Sequence, residues 1–534
     1  MRPRSRNTHT HMRMAALLAA MLLAVVLAAC GSSASIRIEL APTAAVLNVG
    51  GSVSVTLSVA SATAAGPFLL EASGLPSGVD AVFSAPTVSN AGDSRQMTLT
   101  ASPTATEGTF TVTVSAAGAL ATGTATLELT VELLEVSGVV STVLGVPLAG
   151  VNVVIAGHGG TTTALDGSFS LEDVVVPYTI SVIHPGEGWA HIYEGVSIGD
   201  LDIAPLTSVM GTVPTAKGTV QGTVTPEVGP LQNLIICAEG IDVEVFGCAT
   251  LSTGQSSYNI PVNWSGASTA NIRLRAVRYD LNADNNPLSI SGSGAVEQFT
   301  LSEGGTETKD ITIGAPVGSL NFNANVLSPH FTPTNVDIGL QTVLPSGHVL
   351  IAPGAKSATG SGVSLVAPSY TGATYNLLVQ ASSLNGQGAL VFRPGLLTAG
   401  NYEVSLPAPS SAAGPASDAT GIGLDTTFSV SGTPGRMNMF LFGVGSVNVA
   451  ISTMASEAKI PDLSAYGMGI GSSVLGNWNV LNSPDFTDVN SEVSGGVGLS
   501  RTYVSLIVGV SGGPTHDQDY RAATSGHRTF TTAP

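Results

Sequence analysis

Apolar and polar positions alternate along most of this chain, which is the pattern of strands that bury one face. From Val53 to Val59, valine and leucine alternate with serine and threonine, and this period of two places one side of the stretch in a core. The same period recurs from Phe110 to Val114 and from Leu127 to Val131. Apolar positions at helical spacing are few. The pattern therefore predicts an all-β chain.

Length and composition indicate that the predicted strands are divided among several modules. The chain has 534 residues, 63 of them glycine, and only 10% are charged. A chain of this length exceeds one hydrophobic core, so several domains are expected. Abundant glycine, alanine, serine, threonine and valine favour β-sandwiches joined by turns. We therefore expect tandem β-sandwich modules.

The beginning of the chain departs from this alternation. Met14 to Ala29 is an uncharged run of methionine, alanine, leucine and valine. It follows four arginines: Arg2, Arg4, Arg6 and Arg13. A basic start, a short apolar middle and small residues before a cut are typical of a signal peptide, here residues 1–29. Two translation starts are compatible with this layout, Met1 and Met12, and Met12 begins a conventional, shorter signal.

The sequence Leu27-Ala28-Ala29-Cys30 closely resembles a bacterial lipobox. The resemblance implies that Cys30 becomes the first mature residue and carries acyl chains, with residues 30–35 as a tether. Several acyl chains would fix the protein to a membrane, since each buried methylene contributes about 0.8 kcal/mol. Gly31 stands where some two-membrane bacteria have an inner-membrane retention aspartate, which favours the outer membrane if there is one. The alternative is an ordinary secretory signal with a coincidental cysteine.

No second apolar run is long enough for a membrane span, so the expected anchor is lipid. Four of the 18 basic residues lie in the signal, leaving 14 against 36 acidic residues and a net charge of −22. Such a surface repels phosphate backbones, and nucleic-acid binding is not expected.

Two cysteines remain besides Cys30, namely Cys237 and Cys248. In an exported, oxidising setting two cysteines close in sequence usually pair, so a disulfide is predicted. The short loop makes its contribution modest, about 2–3 kcal/mol. The alternative is a pair of reduced, buried thiols.

Residues 36–133 read as one sandwich. Between its alternating strands lie GLPSGVDAVFS (74–84) and EGTFTVTVSAAG (107–118). This order resembles the Ig-like modules of bacterial secreted proteins. The matching positions are turn and core residues, so the resemblance implies a fold and no activity.

Residues 134–205 resemble a carboxypeptidase regulatory-like domain, a seven-stranded transthyretin-type sandwich. The motifs are GVPLAGVNVVIAG (145–157), TTTALDGSFSLEDV (161–174) and VPYTISVIHPG (176–186). Asp166-Gly167 predicts a tight hairpin with positive φ at the glycine. The predicted core face comprises Val151, Val153, Ile155, Phe169, Leu171, Tyr178, Ile180 and Val182. In that family the module is not catalytic.

Three further modules are expected. Residues 217–314 carry both cysteines and loosely resemble sandwich repeats of bacterial surface lipoproteins. Residues 315–405 form a β-rich module with strand-like pieces at 336–343, 374–380 and 401–406. Residues 407–534 resemble a fibronectin-III-like sandwich, on the segments DTTFSVS (425–431), MNMFLF (437–442), VNVAIST (447–453), IPDLSAYG (460–467) and NWNV (477–480), with another strand at 503–510.

One loop has oxygen side chains at alternate positions: Asp280, Asn282, Asp284 and Asn286. Such oxygens suit Ca²⁺, which takes six or more at loose geometry. However, Asn285 replaces the usual turn glycine and Ser291 the closing glutamate. The favoured interpretation is an Asn/Asp-rich hairpin turn without metal.

Two serines match Gly-x-Ser-x-Gly, Ser197 and Ser511, and His516 and Asp517 follow the second. A nucleophile elbow also needs a following helix in a parallel α/β sheet, so catalysis is not expected. His184 and His191 could converge with Glu187 on one sandwich edge. The favoured interpretation places them on a solvated rim.

Arg273, Arg275 and Arg278 form the one basic cluster of the sequence. Arg273 and Arg275 share a face of a predicted strand, opposite Ile272 and Leu274. They either bind an acidic partner or balance nearby carboxylates such as Asp280 and Glu297. The three tryptophans are too scattered to predict a sugar-stacking platform.

The sequence therefore predicts a non-enzymatic cell-envelope lipoprotein without cofactor. Its tandem sandwiches would serve adhesion, scaffolding or ligand capture, with an envelope protein or glycan as partner. The modules would face the periplasm or the exterior. The alternative is a glycan- or peptide-binding surface lipoprotein. A surface hydrolase would need a catalytic constellation that the sequence does not display.

Overall fold

The computed structural model describes residues 34–142, 146–206, 216–241, 245–264, 267–344, 349–351, 355–357, 362–432, 436–494 and 520–534. The chain divides into two compact units. The first runs to Leu134 and includes Glu172–Pro177; the second comprises Glu135–Leu171 and Tyr178–Pro534. Among the described residues of both units, the regular secondary structure is nearly all strand, so the predicted all-β class with tandem β-sandwich modules is confirmed.

The first unit is a two-sheet sandwich. Its strands are β1 Ile36–Ala41, β2 Ala44–Asn48, β3 Ser52–Ala62, β4 Phe68–Ser73, β5 Val79–Phe83, β6 Thr87–Val88, β7 Ser94–Ala101, β8 Gly108–Ala117 and β9 Thr122–Glu132. The sheet orders are β1-β3-β7-β5 and β2-β9-β8-β4-β6. Val55, Leu57 and Val59 are buried in one common core with Val112, Leu127, Leu129 and Val131. The period-two prediction for these strands is confirmed.

Seven strands follow between residues 134 and 203 of the described chain. They are β10 Leu134–Val140, β11 Asn152–Ile155, β12 Gly159–Thr162, β13 Ser168–Val174, β14 Tyr178–His184, β15 Trp189–Val196 and β16 Asp200–Ile203, with a 3₁₀ turn at Pro185–Glu187. Gly167 has φ +78° in the predicted Asp-Gly turn. Of the predicted core face, Leu171 is only partly buried and the other positions are buried.

Residues 216–312 form two sheets around a second core. Their strands are β17 Ala216–Thr225, β18 Gln232–Gly240, β19 Val245–Phe246, β20 Cys248–Leu251, β21 Ser257–Trp264, β22 Thr269–Leu281, β23 Pro287–Ser302, β24 Thr306–Thr308 and β25 Ile311–Thr312. One sheet has the order β19-β21-β17-β24 with β25 also on β17, and the other β20-β18-β22-β23. Strand β22 turns Ile272 and Leu274 into the core between the sheets.

The segment predicted as a β-rich module, residues 315–405, also consists mainly of strands in its described parts. It contains β26 Gly318–Leu327, β27 Asn335–Val343, β28 Val349–Ile351, β29 Ala355–Ser357, β30 Val363–Ser369, β31 Thr374–Ser382, β32 Gly388–Leu396 and β33 Gly400–Ser405. The three predicted strand-like pieces correspond to β27, β31 and β33. Strands β26, β30 and β33 form one sheet, in the order β30-β26-β33. Its buried residues share a core with those of β27, β31 and β32, and this core also contains Val277 and Tyr279 of β22.

The last described strands are β34 Ser411–Gly414, β35 Ala419–Ile422, β36 Thr427–Ser431, β37 Met437–Val444, β38 Val447–Thr453, β39 Glu457–Lys459, β40 Leu475–Ser483, β41 Tyr520–Thr524 and β42 Arg528–Thr532. A short helix, α1, spans Asn490–Val493, and a 3₁₀ turn spans Ser464–Tyr466. That turn occupies part of the segment IPDLSAYG (460–467). The strand expected at 503–510 lies outside the described residues.

Within the second unit, one sheet of fifteen described strands passes through segments that are far apart in sequence. Its main order is β12-β11-β14-β15-β38-β37-β40-β41-β32-β31-β27-β28, with β29, β35 and β42 attached. The joint at β15 and β38 is parallel and pairs Trp189–Tyr193 with Asn448–Ser452. Strand β15 therefore sends Ala190 and Ile192 into the core that contains Phe440, Phe442 and Trp478.

Candidate functional site

The β18–β22 pair carries a buried ionic cluster. The Glu239 side chain is 0% exposed, and those of Arg273 and Arg275 are 33% and 24% exposed. The antiparallel register places Glu239 directly opposite Arg273 and Cys237 opposite Arg275. Side chains at directly opposed positions project from the same face of a sheet. The three charged groups therefore meet on one face.

Arg273 holds both carboxylate oxygens of Glu239. Its Nε donates to Oε2 at 2.6 Å and its Nη2 donates to Oε1. Arg275 Nε donates to the same Oε2 at 2.7 Å. The hydrogen bonds to Glu239 raise the pKa of the Arg273 guanidinium above its usual range, and Glu297 adds a smaller attraction. We name Glu239, Arg273 and Arg275 the ionic cluster.

An aromatic ring closes the cluster. The Arg275 guanidinium lies over the ring of Tyr370, 5.5 Å from its centroid. Burial raises the pKa of the Tyr370 hydroxyl, while Arg275 pulls it back. The arrangement couples β22 to the end of β30 and leaves both arginines internally engaged. The structure therefore favours the interpretation that these arginines balance neighbouring carboxylates. The carboxylate that they bind is that of Glu239, which the sequence analysis did not identify.

The structure brings Cys237 and Cys248 together as a disulfide with an S–S distance of 2.12 Å. The two residues lie opposite each other on the adjacent antiparallel strands β18 and β20. Cys237 is buried, and the bridge borders the core that contains Val277 and Tyr279. The bridge and the ionic cluster thus occupy neighbouring rungs of one sheet. Cys30 lies outside the described residues.

The candidate calcium residues lie at the β22–β23 hairpin. Asn282 Oδ1 accepts from the backbone N–H groups of Asp284 and Asn286, at 3.0 and 2.9 Å. Asn285 adopts φ +62°, a conformation that asparagine tolerates better than most residues. The side chain of Asn282 is therefore used to shape the turn.

Asp280 lies in β22, just before that turn. Its Oδ1 accepts from Gln232 Nε2 at 2.8 Å and its Oδ2 from Ser289 Oγ at 2.9 Å. Burial raises the pKa of this carboxyl, but hydrogen bonds from Gln232, Ser291 and Ser289 together with Arg278 bring it below the usual range. Among the described residues, no group of three or more His, Cys, Asp and Glu side chains is arranged to hold a metal ion.

The prediction that His191 lies on a solvated rim is wrong. Its side chain is completely buried at the β15–β38 joint. The backbone N–H of Leu206 donates to Nδ1 at 3.2 Å, and Tyr193 OH lies 3.0 Å from the same nitrogen. Since a backbone N–H can only donate, Nδ1 is unprotonated in the neutral ring, and Nε2 donates to Ser452 Oγ at 2.9 Å. Burial lowers the pKa of His191 to about 3.

The other histidine of the proposed pair does not join it. His184 Nδ1 instead accepts from the backbone N–H of Glu187 at 3.2 Å and begins the 3₁₀ turn. His184 also packs against Trp189, with ring centroids 5.4 Å apart. The sequence pattern failed here because strand pairing, which residue spacing does not reveal, buries His191.

Ser197 is exposed between β15 and β16. Its Oγ accepts from Asn490 Nδ2 at 3.0 Å, and its backbone N–H donates to Asn490 Oδ1 at 2.8 Å. Strand β16 follows this serine, where a nucleophile elbow requires a helix. Ser511, His516 and Asp517 lie outside the described residues. Trp189, Trp264 and Trp478 are all buried.

A shallow cleft of about 140 Å³ lies between the β31–β32 hairpin and β41, with Gln380, Gln387 and Thr524 in its wall. Ligand pockets usually measure about 300–1,000 Å³.

In the described part of the chain, no helix has the length and apolar character required to cross a bilayer.

The chain has weak structural likenesses. It is similar to the S-layer protein SbsC, domains 4 and 5, at 11% identity and TM-score 0.15, over 18% of this chain and 53% of that one. It thus spans about half of that fragment. It is also similar to the Bacillus anthracis TIE protein at 9% identity and TM-score 0.17, over 69% of this chain and 74% of that one.

A third likeness is to an ectodomain fragment of ICAM-5, at 10% identity and TM-score 0.14, over 68% of this chain and 99% of that one. TM-scores at this level carry no argument about function or module arrangement. No family model matches the sequence, and no curated protein matches it.

Proposed function

We propose that this protein is a non-enzymatic cell-envelope lipoprotein, anchored through Cys30, that displays its β-sandwich modules to an envelope protein or glycan. The anchor is inferred from the basic start, the apolar run and the lipobox-like Leu27–Cys30. The lipid would fix one end of the chain to the membrane, and the modules would hold their binding surface at a fixed position relative to that end.

The observation that carries this proposal is the parallel pairing of β15 with β38. Five residue pairs, from Trp189 with Asn448 to Tyr193 with Ser452, join strands that lie some 260 residues apart in sequence. This parallel pairing joins strands from distant segments of the second unit in one sheet. Sheet pairing restrains motion between those segments, as a scaffold requires, because loosely linked domains would move independently.

The use of charge supports the same role. Four arginines of the second unit are engaged internally: Arg273 and Arg275 with Glu239, Arg278 with a backbone carbonyl, and Arg521 with Asp485. The chain carries twice as many acidic as basic residues, 36 against 18. An acidic surface keeps the protein soluble and disfavours polyanionic partners.

Cell fractionation tests the anchor on which display depends. Cys30→Ser should leave the chain soluble or unprocessed, while the Cys237→Ser/Cys248→Ser double variant, which keeps Cys30, should remain with the membrane. Protease added to cells then shows where the wild-type modules lie. Cleavage in intact cells places them on the exterior, and cleavage only in spheroplasts places them in the periplasm. Tight membrane association, after salt and carbonate washes, of a Cys30→Ser chain from which residues 1–29 have been removed would refute lipid anchoring.

A further inference from the structure

Residues 520–532, within the last described segment, run antiparallel along β40 from Leu475 to Asn482. Strand β41 pairs with Leu481 and Asn482, and β42 pairs with Leu475–Trp478. The break between them falls at Ser525, whose N–H donates to Val480 O at 2.8 Å while its Oγ accepts from Val480 N. Residues 520–532 therefore behave as one bent strand, which we call the inserted strand.

The inserted strand has partners on its other side as well. Residues Tyr520–Thr524 pair antiparallel with Gly388–Phe392 of β32, and Phe530 and Thr532 pair in parallel with β35. It thus fills a slot whose walls are β40, β32 and β35, which we call the acceptor groove. Without the inserted strand, these walls would present unpaired backbone groups along open edges, which readily recruit another strand.

Side chains fix the register of this insertion. Phe530 is fully buried against Phe428, with ring centroids 5.6 Å apart. The ring lies on Gly476, where an added Cβ would clash with it. The Arg528 guanidinium lies over Trp478 and donates to Pro415 O at 2.7 Å. The groove therefore recognises an aromatic residue two positions after an arginine.

An ion pair between Arg521 and Asp485 holds the first half of the inserted strand, residues 520–524. Arg521 Nη2 and Nε donate to Asp485 Oδ1 at 2.6 and 3.1 Å, and its backbone N–H donates to Asp485 Oδ2 at 2.6 Å. Ser483 Oγ donates to the carbonyl of Arg521 at 2.6 Å. Backbone pairing supplies affinity in such strand addition, and side-chain pockets supply selectivity.

We propose that the acceptor groove is a strand-binding site, and that the inserted strand of one copy of this chain can occupy the groove of a second copy. Every contact described above survives if the strand comes from another molecule, which is the basis of domain swapping. Twenty-five residues (495–519) lie between Ser494, directly after α1, and Tyr520, the first residue of β41, and a stretch of that length spans at most roughly 90 Å. Such exchange would link displayed copies to one another, and it stands independently of the lipid anchor.

A complementation experiment tests this exchange. One chain, residues 31–519, lacks the inserted strand and offers an open groove. The other, residues 31–534 with Gly476→Ala, carries the strand but has its own Phe530 site obstructed. Mixing them should give a one-to-one complex in analytical ultracentrifugation that neither chain forms alone. A matched partner with Gly423→Ala, where an added Cβ meets nothing within 4 Å, should form far less complex.

A labelled peptide of residues 520–534 gives the second measurement. It should bind the 31–519 chain saturably, and a Phe530→Ala peptide should bind at least about tenfold more weakly. If the 31–519 chain does not fold alone, the peptide should restore its β-sheet circular dichroism. Absence of both the mixed complex and peptide binding, or equal binding of the Phe530→Ala peptide, would overturn the proposal.

Discussion

The ionic cluster makes an asymmetric prediction about stability. The Arg273→Ala/Arg275→Ala double variant leaves Glu239, whose side chain is 0% exposed, without its two cations. Removing the partners of a buried charge costs about 3–5 kcal/mol. Glu239→Ala leaves two arginines that are 33% and 24% exposed and can regain water. Losing hydrogen bonds to a charged group costs about 1.5–3 kcal/mol. Removing the arginines should therefore destabilise the protein more than removing the glutamate.

Urea unfolding followed by tryptophan fluorescence measures this difference, because all three tryptophans belong to the second unit. A triple replacement, Glu239→Leu with Arg273→Met and Arg275→Met, should recover most of the lost stability, since apolar side chains can replace a buried ionic group at little net cost. If Glu239→Ala destabilised the unit as much as the double arginine variant, the inference that desolvation of Glu239 dominates would be wrong.

Three further outcomes are expected. His191 has a lowered pKa in the folded state, so the unfolded chain takes up the proton first and stability should fall by up to about 1.4 kcal/mol per pH unit as pH drops from about 6.5 toward 3. Urea midpoints across this range should show that loss in the wild type and in exposed His158→Gln, and a smaller one in His191→Gln. Cys237 and Cys248 should resist alkylation in the non-reduced exported protein, as seen by mass spectrometry; free labelling of both would contradict the bridge. Calcium at about 1 mM should leave the melting temperature unchanged, because Asp280 and Asn282 already accept internal hydrogen bonds; a rise of several degrees, lost in Asp280→Ala/Asp284→Ala, would show a calcium site.

The parts of this structure that could be predicted from sequence are local. Alternation places Val55 and Leu57 in a core because strand faces repeat every two residues. Asp166-Gly167 predicts its hairpin because a tight turn needs positive φ, which Gly167 adopts. In the same way, the alternation around Arg273 predicts its side of β22 correctly.

The parts that could not be predicted depend on which strands become neighbours. Glu239 meets Arg273 through the β18–β22 register, across 34 residues of sequence. His191 meets Ser452 across 261 residues, through a parallel joint that no local pattern marks. Residue spacing reports the face of a strand and not the identity of its partner strand. The ionic cluster and the buried contacts of His191 could therefore be identified only from the fold.

The most direct test of the proposed lipoprotein is the mass of the first peptide of the mature chain, purified from membranes of cells that export it. The account predicts that this peptide begins at Cys30 and carries a thioether-linked diacylglyceryl group, with or without a further N-acyl chain. An unmodified Cys30, or a mature chain beginning at a different residue, would contradict the account.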